Sequence, residues 1–339
     1  GLDCAAPRLV FDRYRDAMPH VSALMKSGSW GPLRSSEPPI TVPAWTCLVS
    51  GRDPGELGLY GFRNRIAGET GLRLATGADV RVKRIWDWLG EHGFCVAPLF
   101  VPLTSPPVPV RGYLVSGFMW PGGDAPWCFP RELESELRDR IGDYLADVDD
   151  FRSDDLDRIY RDIADMTEQH FAMAELIWDE KQPDFLMMVE IGLDRFHHAF
   201  WRHIDPEHPR HEPGNPWEHL GREYYASLDR RIARLCERAG DDTTLMVVSD
   251  HGARAMHGGF CINDWLIERG YLALHQHPAA PGPLDHDRID WSRTRAWAEG
   301  GYYARVFLNV AGREPHGAVS PGALLETRAA LQRELAEAH

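Results

Sequence analysis

Two runs of the sequence are apolar at almost every position and then end in side chains that bind metal ions. The first, DFLMMVEIG, precedes Asp194, and the second, TTLMVVS, precedes Asp250. A strand that is apolar on consecutive residues is buried on both faces, as in a parallel sheet covered by helices. Because ligand sites in such sheets lie outside the carboxyl ends of the strands, we expect the side chains that follow these runs to lie together.

Segments with helical spacing separate these runs. We predict a strand in FCVAPLF and helices over residues 7–26, 82–92, 131–178 and 217–239. Strands that alternate with helices indicate an α/β sheet with helices on both faces. The stretch from 126 to 180 is acidic and weakly apolar, so we interpret it as a helical insert or cap within one domain over residues 1–339.

The net charge and the hydropathy of the chain indicate which kinds of molecule it can bind. The chain has 339 residues, with 37 basic and 51 acidic side chains and a formal charge of −14. Such a surface repels nucleic-acid backbones and anionic membranes, so we expect neither a nucleic-acid polymer nor a membrane as partner. No segment approaches the roughly 20 consecutive apolar residues of a membrane-spanning helix. The composition predicts a soluble protein that acts on a small molecule.

The cysteines indicate the compartment. Six are present, far apart and without CxxC pairs, in a chain too large to depend on disulfides. We interpret them as free thiols of a cytoplasmic protein. The chain starts at Gly1 rather than at a methionine, and we expect the domain to be truncated at both ends.

The segment GLDRFHHAFW places Asp194 and His198 four residues apart. If a helix begins at Asp194, the carboxylate and the imidazole lie on one face, one turn apart. Carboxylate oxygen and imidazole nitrogen together suit zinc or a similar divalent ion. The alternative is an N-capping aspartate followed by surface histidines.

The segment SDHGARAMHGG carries a second set of candidates. Asp250 and His251 are consecutive at a predicted strand end and precede a glycine, which allows the backbone to bend close to a bound ion. His257 follows six positions later in a glycine-bounded loop and is a candidate ligand for a second ion. An ordinary turn and a solvated loop histidine are the alternatives for these residues.

The proline-bounded segment ITVPAWTCLVSG offers Thr41, Thr46, Cys47 and Ser50 as nucleophiles. A hydroxyl group attacks poorly near neutral pH unless a metal ion favours the alkoxide. The sequence supplies no partner base for Cys47, which disfavours thiol chemistry.

Together these motifs resemble the alkaline phosphatase superfamily and, within it, the type I phosphodiesterase and nucleotide pyrophosphatase family. The resemblance rests on the initial GLD and on TVPAWTCLVSGRDPGELG, GLDRFHHAFW and SDHGARAMHGGFCINDWL, and it covers nearly the whole chain. It implies a three-layer α/β/α sandwich with a largely parallel central sheet and a site for two divalent metal ions. Zinc is the expected metal, and manganese accepts the same donors.

The resemblance also implies residue roles. One metal ion would be held by Asp3, Thr41, Asp250 and His251. The other would be held by Asp194, His198 and a further histidine, for which His257 and His316 compete. We prefer His257, because GREPHG resembles a surface turn. Thr41 would be the nucleophile that forms a covalent phosphothreonine intermediate, with Thr46 as its rival.

Two positions depart from the family pattern. An asparagine normally found three residues after the nucleophile is Ala44 here, and a later histidine is Leu57. A nucleotide substrate is therefore in doubt. We predict a metal-dependent phosphate-ester hydrolase of the phosphodiesterase type. The alternatives are a phosphomonoesterase or phosphonate hydrolase on the same scaffold, or a catalytically silent metal-binding domain.

Overall fold

The computed structural model describes residues 1–66 and 68–338. The chain forms two compact units: a larger unit, Gly1–Phe62 with Ala75–His257, and a smaller unit, Arg63–Leu74 with Gly258–His339. Every predicted site residue except His316 belongs to the larger unit. The interpretation of residues 1–339 as one catalytic domain stays a prediction.

The elements are numbered along the chain. The α-helices are α1 Pro19–Ser27, α2 Thr41–Ser50, α3 Pro54–Leu57, α4 Ile85–Glu91, α5 Glu132–Ile141, α6 Leu156–Lys181, α7 Gly192–Ile204, α8 Leu220–Ala239, α9 Ile262–Glu268 and α10 Leu324–Ala336. The strands are β1 Arg63–Arg65, β2 Leu72–Leu74, β3 Val96–Val101, β4 Leu114–Ser116, β5 Cys128–Phe129, β6 Phe185–Met188, β7 Ala296–Glu299 and β8 Arg305–Leu308. None of the helices in the two described ranges is both long enough and apolar enough to cross a membrane.

The larger unit contains a mixed sheet with the strand order β5-β4-β3-β6. β3 pairs in parallel with β4 and β6, and β5 runs antiparallel to β4. Beyond β6, Leu2 forms a parallel bridge with Glu190, and its amide donates to the Val248 carbonyl at 2.8 Å. The largely parallel α/β sheet expected from the sequence is confirmed.

Alternate residues of the sheet enter two different cores. Val96 of β3 packs in one cluster with Trp45 of α2 and Trp86 of α4. Its neighbour Ala97 belongs to the main core, which α6, α7 and α8 share. Successive side chains of a strand point to opposite faces, so helices cover both faces of this sheet. This arrangement is the predicted three-layer sandwich.

Two predicted elements have different structures. The single helix expected over residues 7–26 is divided into a π-helical segment, a short 3-10 turn and α1, because Pro19 lacks an amide hydrogen and suits a helix start. No strand is formed over residues 243–250, which the structure describes in full, and Met246 is 77% exposed. An apolar run does not by itself distinguish a central strand from a segment at the sheet edge.

The stretch interpreted as an insert contains β5, α5 and most of α6. Ile159, Ile163 and Ile177 of α6 are fully buried in the main core. This helix therefore stabilises the sandwich itself, and a capping role for residues 126–180 stays a prediction.

A buried glutamate sets the turn from β6 into α7. The fully buried Glu190 accepts hydrogen bonds from the Gly192 amide at 2.7 Å and the Thr167 hydroxyl at 3.1 Å. Its second oxygen lies 3.1 Å from His170 Nδ1. A carboxylate is tolerated in a dry interior only when its oxygens are satisfied in this way. The network therefore fixes the start of the helix that carries two predicted metal ligands.

Replacing Glu190 with leucine is expected to lower the free energy of unfolding by about 3–5 kcal/mol, because three buried polar groups lose their acceptor. Denaturant unfolding followed by circular dichroism measures this loss. The control is Glu168→Gln, since Glu168 is exposed and pairs with Arg231 at the surface, where an ion pair contributes less than about 1 kcal/mol. Equal losses in the two variants would contradict the role given to Glu190.

Candidate metal centre

The predicted site residues of the larger unit come from segments that leave the sheet at one edge. Asp3 follows the bridged residue Leu2, and Asp250 follows Val248, which accepts from Leu2. Asp194 lies in the first turn of α7, just after β6. This is the edge at which α/β sheets place ligands.

Asp3, Asp250 and His251 form the first cluster. Their ligand atoms all lie within 4.8 Å of one another. His251 Nε2 is 3.5 Å from Asp3 Oδ1 and 3.4 Å from Asp250 Oδ2. The same nitrogen is 3.1 Å from Thr41 Oγ1, which places the predicted nucleophile beside the cluster.

In each carboxylate of the first cluster, one oxygen accepts a hydrogen bond from the described part of the chain and the other accepts none. Trp45 Nε1 donates to Asp3 Oδ2 at 2.7 Å, and the Cys4 amide donates to Asp250 Oδ1 at 3.2 Å. Asp3 Oδ1 and Asp250 Oδ2 are buried and accept no hydrogen bond from any described residue. Such oxygens are costly to bury, and a divalent cation is a partner that satisfies both. The donor set therefore fits a metal ion.

Asp194 and His198 form a pair that we call the second cluster, although His198 is in neither of the groups of three ligand atoms that lie within 4.8 Å of one another among the described residues. Because α7 begins at Gly192, the two side chains face the same way, and His198 Nε2 lies 3.4 Å from Asp194 Oδ2. Arg195 Nη1 also donates to that oxygen at 2.8 Å. Asp194 is inside the helix and buried, whereas the N-cap position is Ile191, so the alternative of an N-capping aspartate is excluded.

A thiol joins the two clusters. Cys4 Sγ, an Asp194 oxygen and a His251 ring nitrogen lie within 4.8 Å of one another. Cys4 is buried, and its sulfur also lies 3.4 Å from Nδ1 of the buried His197. Together the two clusters make one continuous site.

The two histidines that competed for the last ligand position are outside this group. His257 is exposed, and it belongs to neither ligand cluster found among the described residues. His316 is an exposed residue of the smaller unit, and its carbonyl accepts from Asn309 Nδ2 at 3.0 Å. The assignment of His257 as a ligand stays a prediction.

The candidate nucleophiles differ in what their side chains contact. Thr41 is the first residue of α2, and its hydroxyl faces His251. Thr46 is buried, and its hydroxyl donates to the Val42 carbonyl at 2.7 Å within the helix. Burial raises the pKa of Cys47 to about 11, so its thiol is protonated near neutral pH. Of the two threonines, Thr41 is the one whose hydroxyl faces the first cluster.

The start of α2 also offers backbone donors. The first amides of an α-helix have no partner inside the helix, and Ile40 provides no side-chain cap. Pro43, at the third position, has no amide hydrogen. The amides of Thr41 and Val42 are therefore donors for an anion at this end of the helix.

Burial and like charge oppose ionisation of the first cluster. Burial raises the pKa of Asp3 well above its ordinary value, and the nearby Asp250 and Asp194 carboxylates raise it further. Burial also raises the pKa of Asp250 to about 8. Acidic groups in this state hold protons at neutral pH unless a cation replaces them.

Three residues that shape the site were not among the predicted ligands and nucleophiles. Trp45 is one turn beyond Thr41 on α2 and fixes Asp3, and its i to i+4 spacing was the available signal. Cys4 directly follows Asp3 in the sequence. His197 gave no distinguishing signal, because only the fold directs it inward while His198 faces Asp194.

A cavity of about 720 Å³ opens beside the first cluster. One wall is the α2 face with Ala44, Cys47 and Leu48, and Asp250 borders it on the site side. Arg34 and Arg52 also line it. Its volume is in the range of pockets that hold small organic ligands.

A helix-initiating threonine lies beside carboxylates and a histidine at the strand ends of an α/β/α sandwich. The family model for type I phosphodiesterase / nucleotide pyrophosphatase matches residues 1–339, and the chain belongs to this family. The family consists of phosphoric-ester hydrolases and is metal-dependent. No curated protein matches the sequence.

Two similar solved structures are of phosphonoacetate hydrolase from Sinorhizobium meliloti 1021. The complex with phosphonoformate has a TM-score of 0.52 and 17% identity, covering 79% of this chain and 60% of that one. The complex with phosphonoacetate has a TM-score of 0.52 and 15% identity, covering 82% and 64%. This chain therefore spans less than two thirds of that protein, and the likeness shows a shared fold.

The raised pKa of Asp250 predicts how the stability of the metal-free protein depends on pH. Between its ordinary value of 3.8 and about 8, the folded protein holds a proton that the unfolded chain releases. The free energy of unfolding should therefore fall as the pH rises through this window. Denaturant unfolding in the presence of a chelator measures the slope.

Asp250→Asn should reduce this slope and stabilise the metal-free protein near pH 8, because the amide carries no charge to bury. Asp241→Asn, at an exposed position, is the control and should leave the slope unchanged. A slope that is the same in Asp250→Asn and in the unmodified chain would contradict this assignment of the proton.

Proposed function

We propose that this chain hydrolyses small phosphodiesters with Thr41 as the nucleophile and two divalent metal ions as cofactors. The observation that carries the proposal is the Thr41 hydroxyl at a helix start, 3.1 Å from His251 in a cluster of buried carboxylates. Membership in the type I phosphodiesterase / nucleotide pyrophosphatase family supports it.

The ligand sets follow the two clusters. One ion would be held by Asp3, Thr41, Asp250 and His251, and the other by Asp194, His198 and a further ligand. When bound, the ions favour the threonine alkoxide and offset the negative charge that builds on the phosphoryl and leaving-group oxygens. Mixed oxygen and imidazole donors favour zinc, and manganese is the alternative.

The residues of the chain would carry out the hydrolysis in two steps. The Thr41 oxygen forms a bond to phosphorus while the bond from phosphorus to the leaving alcohol breaks. The Thr41 and Val42 amides at the start of α2 would donate hydrogen bonds to a phosphoryl oxygen. Water then cleaves the phosphothreonine, which restores the Thr41 hydroxyl and releases the phosphomonoester.

The cavity beside Asp250 is the proposed place for the organic part of the ester. Ala44 lies in its wall, at the position where nucleotide pyrophosphatases carry an asparagine, so an amide contact to the phosphoryl group is missing. This difference favours small diesters over nucleotides. The likeness to a phosphonoacetate hydrolase adds phosphonates to the substrates worth testing.

Thr41→Ala is expected to lower kcat for bis-nitrophenyl phosphate by roughly 1000-fold or more, because the attacking oxygen is lost. Nitrophenol release measures this loss, with the monoester and phosphonoacetate assayed in parallel. Thr46→Ala is the matched control, since its hydroxyl is bonded within α2, and it should keep most of the activity. Full activity in Thr41→Ala, or loss only in Thr46→Ala, would overturn the choice of nucleophile.

Zinc is expected to raise Tm and to restore the activity that a chelator removes. At 100 times its Kd, a ligand that binds only the folded state stabilises it by about 2.7 kcal/mol. Asp250→Asn and Asp194→Asn should lose most of this stabilisation, whereas Asp241→Asn, at an exposed position outside both clusters and outside the cavity, should keep it. Hydrolysis that survives complete chelation would rule out the metal-dependent mechanism.

A further inference from the structure

We propose that Cys4 binds, as a thiolate, the divalent ion held by Asp194. This inference rests on the metal centre of the proposed function and adds a sulfur donor to it. The sulfur would supply the further ligand of the second ion.

The position of the thiol supports this role. Cys4 is 3% exposed, and its sulfur lies within 4.8 Å of both an Asp194 oxygen and a His251 nitrogen. In the same site, Asp3 Oδ1 and Asp250 Oδ2 are buried and accept no hydrogen bond from the described residues. The sulfur therefore lies beside carboxylate oxygens that a divalent cation would satisfy.

The backbone holds Cys4 in this position. Its φ of +66° is in the left-handed region, which residues with a side chain rarely adopt. The Cys4 amide donates to Asp250 Oδ1 at 3.2 Å, and the next amide, of Ala5, donates to Ser249 Oγ at 2.9 Å. Unusual backbone conformations persist where the surroundings fix them, and they cluster at functional sites.

The buried His197 supplies a suitable neighbour for a thiolate. A neutral imidazole has one donor and one acceptor nitrogen. Nδ1 lies 3.4 Å from Cys4 Sγ, and Nε2 lies 3.1 Å from the Tyr225 hydroxyl. If Tyr225 donates to Nε2, then Nδ1–H donates to the sulfur. Hydrogen bonds of this kind orient metal ligands and tune them.

A sulfur ligand also completes a familiar coordination set. Catalytic zinc sites commonly have three protein ligands and one open position. Cys4 Sγ lies within 4.8 Å of an Asp194 oxygen, and His198 forms no such group with these two residues, so its ring would have to move to complete a set of three. Binding would release the thiol proton to solvent as the sulfur–metal bond forms. Thiolate is a soft donor, so the second site would prefer zinc over manganese.

Cobalt(II) is the probe, because a thiolate bound to Co²⁺ gives a near-ultraviolet charge-transfer band that oxygen and nitrogen ligands do not give. The metal-free protein is titrated with Co²⁺, and its absorption spectrum is recorded for the unmodified chain and for Cys4→Ser, Cys4→Gly and Cys47→Ser. The glycine variant removes the thiol and keeps the backbone unstrained, because glycine readily adopts the positive φ found at this position. Cys47→Ser is the matched control, since this thiol lies on α2 next to the cavity.

The band should appear in the unmodified chain and in Cys47→Ser, and it should be absent from both Cys4 variants. Zinc affinity of the Cys4 variants should fall by about 100-fold or more, since changes to outer-shell partners alone cost about 10–100-fold. Thermal unfolding of the metal-free variants checks that they are folded. A band that persists in the folded Cys4 variants, or stoichiometric Co²⁺ binding without a band in the unmodified chain, would overturn the proposal.

The outcomes also distinguish this inference from the proposed function. Metal-dependent hydrolysis that is lost in Thr41→Ala, together with a Co²⁺ spectrum lacking the band, would refute the cysteine ligand alone. A band that depends on Cys4, in a protein that cleaves no phosphate ester or phosphonate, would refute the hydrolase and retain the ligand.

Discussion

The close burial of Asp3, Asp194 and Asp250 at one edge of the sheet is the constraint on which the site depends. All three are at most 5% exposed. Arg195 donates to Asp194 and is shared with Asp147. Like charges in a dry interior repel one another strongly, so the ionised state requires cations between the carboxylates. The chemistry proposed for Thr41 follows from this requirement.

The rest of the larger unit holds these groups in place. Trp45 of α2 fixes Asp3 from one face of the sheet, and the same helix starts with Thr41, so one rigid element positions a ligand and the nucleophile. On the other face, Glu190 fixes the turn that starts α7 and places Asp194. The side chains of the site thus depend on both helix layers, which explains why a three-layer sandwich suits this chemistry.

The sequence was sufficient for features that depend on local spacing. The apolar runs predicted a layered α/β sheet, and the i to i+4 spacing predicted that Asp194 and His198 face the same way on one helix. Features that depend on tertiary contacts were not accessible. Met246 lies in an apolar run that forms no strand, and it is 77% exposed, which the hydrophobicity of the run does not reveal. Nothing in the sequence shows that His197 turns inward to Cys4 and Tyr225.

Anomalous diffraction at the zinc absorption edge, from crystals grown with zinc, tests the central claim most directly. We expect two zinc peaks, one between Asp3, Asp250 and His251 and the other bound by Asp194 and Cys4. Each peak should lie about 2.0–2.3 Å from its ligand atoms. Carboxylates that contact one another through shared protons, with no anomalous peak beside them in the presence of zinc, would contradict it.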